Sequence, residues 1–421
     1  MSSTAQSTPL VIDRSQYSYY DRDLEKLCAF IVPQGASVLR MNRETGGVFP
    51  SGRYEYVVMA DVIGSSPDVN TLFDRTRQLL SDDGRIVLTF RNRLWRPLFF
   101  AVATARRKTS ARSQNWFSAS DVRNMLHLSD FEVVRSGRRL LCPVYIPLVS
   151  AALNAFGQLP LVNLLCVTHF IIARPIRHRR DEYSVSVVVP ARNEEGNIRA
   201  IVERMPVFGT AQELIFVEGN SNDGTWRAIQ DAVAHYSGPI TVKGVQQDGR
   251  GKADAVRKGF AMARGDVVMI LDADITVAPE DLPKFYEAIA QGKADFVNGS
   301  RLVYPMEKRA MRPLNMLGNM FFAALLSWLI DQRLTDALCG TKALRKKDFE
   351  AIEKNRAFFG DFDAFGDFDL LLGAAKQNLK LCDLPIRYRA RSYGTTNIRR
   401  FSHGWQLLKM CAFAARKMKF Y

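Results

Sequence analysis

The stretch DVVMILDADI (residues 266–275) decides how this 421-residue chain is read. Five apolar residues, Val267 to Leu271, predict a strand buried on both faces, and an acid–alanine–acid triplet follows at once. Side chains alternate with period two along a strand, so Asp272 and Asp274 are expected to emerge on one face. Two carboxylates so placed make a hard-oxygen site for Mg2+ or Mn2+, completed by the phosphate oxygens of a substrate. An isolated DxD is a weak signal, and its surroundings must carry the argument.

Those surroundings alternate. Strands are predicted over residues 185–189, 214–218, 240–244 and 266–271, with helices over 197–204, 223–235 and 252–264 between them. Alternating βα units give an α/β fold with a mostly parallel, Rossmann-like sheet, helices on both faces and ligands beyond the carboxyl ends of the strands. Three polar clusters fall at those ends. They are PARNEE (190–195), VEGNSNDGT (217–225) with Asp223 placed to cap the next helix, and the DAD triplet itself.

Composition sets the outer limits. A chain this long is expected to form two or three domains. Hydrophobic residues at 47% and charged residues at 24% describe an ordinary globular protein. The six cysteines form no CxxC pair, which favours reduced thiols over disulfides or zinc. The N-terminus lacks the layout of a signal peptide. The formal net charge is +15, and residues 384–421 carry nine Lys/Arg and no Asp/Glu. Such a tail suits anionic lipid or a phosphorylated substrate. Nucleic acid is not an expected partner, because no aromatic platform interleaves the charges. Residues 140–173 contain no charged side chain, but three prolines divide them, so a strand and helices lying on a core or on a membrane surface are expected rather than a spanning helix.

The first half also alternates strand and helix. YEYVVMADVIGSSPDVNTLFDRTRQLLSDDGRIVLTF (54–90) and FSASDVRNMLHLSDFEVV (117–134) resemble the later strands and helices of class I S-adenosylmethionine-dependent methyltransferases. That family holds its methyl donor earlier in the chain, with a Gly-rich loop and a ribose-binding acid. Here Arg40 stands where an acid usually ends the first strand, and MNRETGG (41–47) supplies no GxGxG. About 15 residues separate the predicted strands at 36–39 and 56–59. A parallel crossover needs a dozen or more residues and each further βα unit about 30, so two units are missing. Residues 1–175 are therefore expected to be a truncated, non-catalytic domain. A bifunctional methyltransferase–glycosyltransferase, or a non-catalytic nucleotide-binding scaffold, is the alternative.

After a basic linker at 176–183, the motifs VSVVVPARNEEGNI, IFVEGNSNDGT, GRGKADAVRKGFAMARGDVVMILDADITVAPEDL, DFVNGSR, LTDALCGTKALRKKDF and RARSYGTTNI follow in order. Together they resemble glycosyltransferase family 2, of GT-A fold, and within it the dolichyl-phosphate mannose synthase and polyprenyl-phosphate glycosyltransferase branch. The resemblance makes residues 184–400 the transferase domain and 401–421 a basic amphipathic helix. It implies an inverting, metal-dependent enzyme that moves a hexose from a UDP- or GDP-sugar to a polyprenyl phosphate.

The same resemblance implies the roles of single residues. Pro190, Arg192 and Glu194 line the base and ribose, with Lys252 also on the nucleotide-sugar, and Glu218 replaces the usual acid of a DDGS turn. Asp272 and Asp274 hold the metal with Ala273 packed beside the nucleotide, and Arg301 and Arg391 grip phosphate. Asn397 falls where a lysine is usual, which shifts that contact towards Arg399 or Arg400. A phosphate acceptor is already ionised and needs no base. A hydroxyl of a glycan or glycolipid would need one, for which Asp369 is the candidate and Asp367 the next, with Asp336 shaping the acceptor side. Two apolar stretches, residues 316–330 and the helix bearing Trp405, Leu408, Ala412 and Ala415, suit an enzyme peripheral to the cytosolic face of a membrane.

Overall fold

Two sheets organise the chain, whose computed structural model describes residues 18–41, 49–105, 114–306, 311, 313–358, 366–391, 393 and 400–420. The first contains β1 (Val38–Met41), β2 (Tyr54–Ala60), β3 (Leu80–Arg91), β4 (Phe131–Arg139) and β5 (Thr168–Pro175), in spatial order β1-β2-β3-β5-β4. Both β1 against β2 and β2 against β3 are parallel. The SDDG sequence (81–84) is absorbed into β3, where the register with β2 shifts between Tyr54 and Tyr56.

The accompanying helices are α1 (Tyr19–Ile31), α2 (Val69–Leu79), α3 (Arg96–Ala105), α4 (Ala119–Leu128) and α5 (Val149–Phe156). α1 escaped the sequence reading although its signals are present. Ser18 accepts from the Asp21 N–H at its start, and Leu24, Leu27, Cys28 and Ile31 form the buried stripe.

The second sheet holds β6 (Val185–Ala191), β7 (Gln212–Glu218), β8 (Thr241–Gln246), β9 (Val267–Ile270), β10 (Phe296–Ser300), β11 (Lys342–Arg345) and β12 (Leu381–Pro385). Its order is β12-β10-β11-β9-β6-β7-β8. β6 pairs in parallel with β7 on one side and β9 on the other, so the chain reverses direction across the sheet there. That reversal opens a crevice at the carboxyl ends of β6 and β9. β11 runs antiparallel between β9 and β10, which makes the sheet mixed. Its helices are α6 (Glu195–Arg204), α7 (Thr225–His235), α8 (Lys252–Met262), α9 (Leu282–Ala290), α10 (Pro313–Ile330), α11 (Lys346–Lys354), α12 (Asp367–Lys376) and α13 (Arg400–Met418).

The chain forms two compact units, one of Met1–Met125 with Arg138–Phe170 and one of Leu126–Gly137 with Ile171–Tyr421. The division expected at residue 175 thus differs from the packing, and charge explains the difference. Within the second unit, buried Arg174 donates to Glu132 (2.7 Å), Asp295 (2.5 Å) and the Gly292 carbonyl (2.6 Å). Lys380 also reaches Glu132, and Arg135 pairs with Asp331 at 3.1 Å.

Candidate active site

β9 is wholly buried because Val267–Ile270 lie between β6 and β11 in the middle of the sheet. The strand ends at Ile270, short of the expected 271, so strand alternation is not what presents the acids. Asp272 and Asp274 sit in a turn around buried Ala273, closed by Ile275 at φ 52°. Both carboxylates are partly exposed.

Each already has a cationic partner. Lys252, the first residue of α8, reaches Asp272 at 2.6 Å. Burial works against ionisation of Asp272, yet Lys252, with Lys342 and Arg301 near it, holds its carboxyl below the usual range. Lys342 is fully buried and donates to the Cys339 carbonyl. Register explains why the second wall is so close. Lys342 faces Ile270 across the antiparallel pair, and the same register two residues on sets Gly340 opposite Asp272. A Cβ at Gly340 would lie 2.6 Å from Asp272 Oδ1 and nearer still to Oδ2 and to Lys252 Nζ.

Asp274 is tied to the first cluster through Arg391. The segment after β12 runs beside the DAD turn, with Arg389 N–H donating to the Thr276 carbonyl (3.0 Å). Arg391 then bridges Asp274 (2.6 Å) and Glu194 (3.4 Å). Thr276 donates from both its N–H and its hydroxyl to the other oxygen of Asp274. Burial pushes Glu194 up to about 7, against the pull of Arg391 and of an Asn197 hydrogen bond at 2.7 Å. Tyr393 lies against Gly196, leaving no room for a Cβ there.

The first two clusters are stitched together. Asn193 receives the Asn222 N–H (2.8 Å) and its own N–H donates to Ser221 (3.0 Å), while the Glu194 N–H donates to Thr225 (2.9 Å). Asp223 accepts from the Thr225 N–H (3.0 Å), although Gly224 is the residue that precedes α7. Glu218 is buried and builds the loop itself, taking the Ser221 N–H at 2.5 Å and the Gln246 amide at 3.2 Å. Pro190, next to last in β6, is half-buried, and Arg192 is exposed with no ion pair among the described residues.

Other expected residues fall elsewhere. Arg301, just past β10, is clamped by Asp336 at 2.7 and 2.8 Å and lies over the Tyr388 ring at 5.1 Å. Asn319 of α10 holds Asp336 in turn (2.7 Å). Asp336 therefore fixes the Arg301 guanidinium. Asp369 pairs with Arg257 (3.3 Å) and lines a cleft of about 550 Å3, open mouth included, with Val256, Phe349 and Lys376 but without Asp272 or Asp274. Burial, with Arg135, lowers Lys376 to about 8. Asn397 and Arg399 lie outside the described residues, as do the side chains of Asp367 and Arg400.

The sequence reading missed Gly340, Lys342, Tyr388 and Asn319. The phrase LCGTK held the signal for the first two, since a glycine two residues before a buried strand lysine marks a close approach.

Among the described residues, no group of three or more His, Cys, Asp or Glu gathers as a ready-made metal cage. The donors present fit a hard divalent cation that takes two carboxylates and draws its other ligands from phosphate and water.

Residues 186–353 match the model of Glycosyl transferase family 2, and residues 10–136 match a Methyltransferase domain. A low-salt glycan biosynthesis hexosyltransferase of Haloferax volcanii is 28% identical over 231 residues, covering 53% of this chain and 52% of that protein. The dolichol-phosphate mannosyltransferase of Pyrococcus furiosus is 31% identical over 181 residues, or 41% of this chain and 49% of that one. The chain thus spans about half the length of these curated relatives. A crystal structure of glucosyl-3-phosphoglycerate synthase from Mycobacterium tuberculosis aligns with TM-score 0.41 and 20% identity, over 57% of this chain and 80% of that one. Residues 186–353 carry a glycosyl transferase family 2 domain, with a methyltransferase-type domain over residues 10–136 ahead of it.

Proposed function

We propose that the chain is an inverting glycosyltransferase that moves a hexose from a nucleotide-sugar to a polyprenyl phosphate. The observation that carries this reading is the convergence of Asp272, Asp274, Glu194, Lys252 and Arg391 at the crevice of a family 2 domain. The acceptor class is supported by relatives named as dolichol-phosphate mannosyltransferase and undecaprenyl-phosphate 4-deoxy-4-formamido-L-arabinose transferase.

Glu194 and Arg192 would orient the nucleoside. Lys252 and Arg391 would turn from their aspartates to the diphosphate, and Arg301, rigid on Asp336, adds fixed positive potential behind it. Asp272 and Asp274 would hold Mg2+ or Mn2+, which when bound neutralises charge developing on the leaving diphosphate. An ionised phosphate acceptor attacks the anomeric carbon from the opposite face without a general base. The pairing of Asp369 with Arg257, in a cleft the metal-site aspartates do not line, favours this over transfer to a hydroxyl.

The first domain is proposed to be non-catalytic. At the carboxyl end of β2 its own side chains engage the acid that follows the strand, with Asp61 accepting from Tyr20 (2.9 Å) and pairing with Arg91 (3.6 Å). Peripheral membrane contact is part of the proposal. Leu314, Leu317, Met320 and Phe321 of α10 are exposed, and α10 is long and apolar enough to cross a bilayer by length and composition. On α13 the expected stripe of Trp405, Leu408 and Ala412 faces outward, while Leu407, Met410, Cys411 and Ala414 form the buried face.

The test is nucleoside-diphosphate release from UDP- and GDP-sugars with Mg2+ or Mn2+, with and without a short polyprenyl phosphate, beside Asp274→Ala. Release that requires both the lipid phosphate and Asp274 supports the reading. Release indifferent to either one removes it.

A further inference from the structure

We propose that the methyltransferase-type unit is a membrane-docking module that inserts two leucine-tipped turns and the flank of α3 into an anionic phospholipid surface. The tips come from a repeated tripeptide. Pro147-Leu148-Val149 and Pro160-Leu161-Val162 stand 13 residues apart in the uncharged stretch, and Leu148 and Leu161 are 89% and 79% exposed.

Both leucines have positive φ, 62° and 71°. Leu148 lies at the centre of a γ-turn in which the Val149 N–H donates to the Pro147 carbonyl at 2.7 Å. A bulky side chain in that region is strained, and folding alone gives no reason to hold leucine, rather than glycine, outward there.

The neighbouring helices point the same way. α5 leaves Val149, Leu153 and Phe156 exposed on one face. α3, with sequence RPLFFAVATA, buries none of its ten residues. A helix this short is marginal in water without a surface to cover it. Trp95, ahead of α3, donates to the Leu165 carbonyl at 2.8 Å, which sets α3 beside the second tip. Leu94, Leu98 and Val102 are exposed at helical spacing. Apolar surface this extensive marks a docking face.

Charge selects the partner. Arg93 and Arg96 are exposed at the rim, and no Asp or Glu occurs from Ile86 through Ser120 or from Leu140 through Ala173. Asp121 lies near Arg93, but self-association through this face would still set Arg96 and the other cations of the rim against their own copies. An anionic bilayer offers both an apolar interior for the leucines and charge for the arginines.

The full chain should sediment with vesicles of phosphatidylcholine and phosphatidylglycerol, and less so in high salt. The double variant Leu148→Gly/Leu161→Gly should bind about a hundredfold more weakly, at about tenfold per leucine. Its melting temperature should not fall, because glycine tolerates positive φ, and its donor hydrolysis without lipid should be unchanged. Arg93→Gln/Arg96→Gln should weaken binding to the anionic vesicles and leave binding to phosphatidylcholine alone as it was. Equal sedimentation of wild type and the glycine variant would overturn the proposal, as would no binding by wild type. So would a wild-type dimer that the glycine substitutions dissolve.

Discussion

Replacing Gly340 by alanine tests whether the site depends on the placement of Asp272. The added Cβ would stand 2.6 Å from Asp272 Oδ1, whereas ordinary contact begins near 3.4 Å, so the carboxylate must retreat by about 1 Å. Gly340 has no positive φ, so alanine imposes no backbone strain of its own. The atoms crowded are side-chain ends, and the Lys252–Asp272 pair is partly exposed (24% and 27%), so little stability is at stake. A displacement of about 1 Å at a reacting group can lower kcat/KM about a hundredfold, or about 2.7 kcal/mol. The assay is nucleoside-diphosphate release, with melting temperature followed in parallel. Gly318→Ala is the control, since nothing lies within 4 Å of its Cβ position and alanine favours the α10 helix. A Gly340→Ala enzyme that folds like wild type and keeps full kcat/KM would refute the reasoning, because Asp272 would then tolerate displacement.

Three further outcomes are expected. Donor kcat/KM should rise as pH passes through about 7, when Glu194 loses its proton, and Glu194→Gln should flatten that limb. Because the folded state raises this carboxyl, its stabilising contribution is complete below the ordinary carboxylate range and lost as pH rises through about 7. It amounts to about 3 kcal/mol, so Glu194→Gln should melt higher than wild type above that pH. Arg174→Met strands buried Asp295, which keeps Arg345 at 3.6 Å, and should cost about 3 kcal/mol, read as a melting temperature roughly 10 °C lower. Asp369→Asn should leave transfer to polyprenyl phosphate within about tenfold of wild type, where loss of a general base would remove 10²–10⁴-fold.

The transferase sheet was legible because its strands are apolar runs closed by polar tips, and β6, β7 and β9 lie within three residues of their expected ends. Less legible were β11 and its antiparallel entry, since four residues give little periodicity, and with them went Gly340 and Lys342. Asp272 and Asp274 were found for a reason that does not operate, because the turn presents them and strand alternation does not. The partner of Arg301 was out of reach for a different reason. Asp336 lies 35 residues on, and only tertiary structure joins the two. In the first unit α1 was readable from its cap and stripe, whereas exposure of the α3 and α5 faces could not be inferred from composition that suits a core equally well.

The Arg174 cluster gives the end of the methyltransferase-type domain a structural role. Glu132 and Arg174 lie on β4 and β5, ahead of the transferase motifs, yet they neutralise Asp295 and Lys380 inside the transferase unit. A gene shortened to begin at the linker would discard both and leave Asp295 buried beside fewer cations. Removing β4 and β5 should therefore destabilise the transferase unit. Strands matched to one family thus sit in the compact unit of the other, and β4 and β5 supply its structural margin.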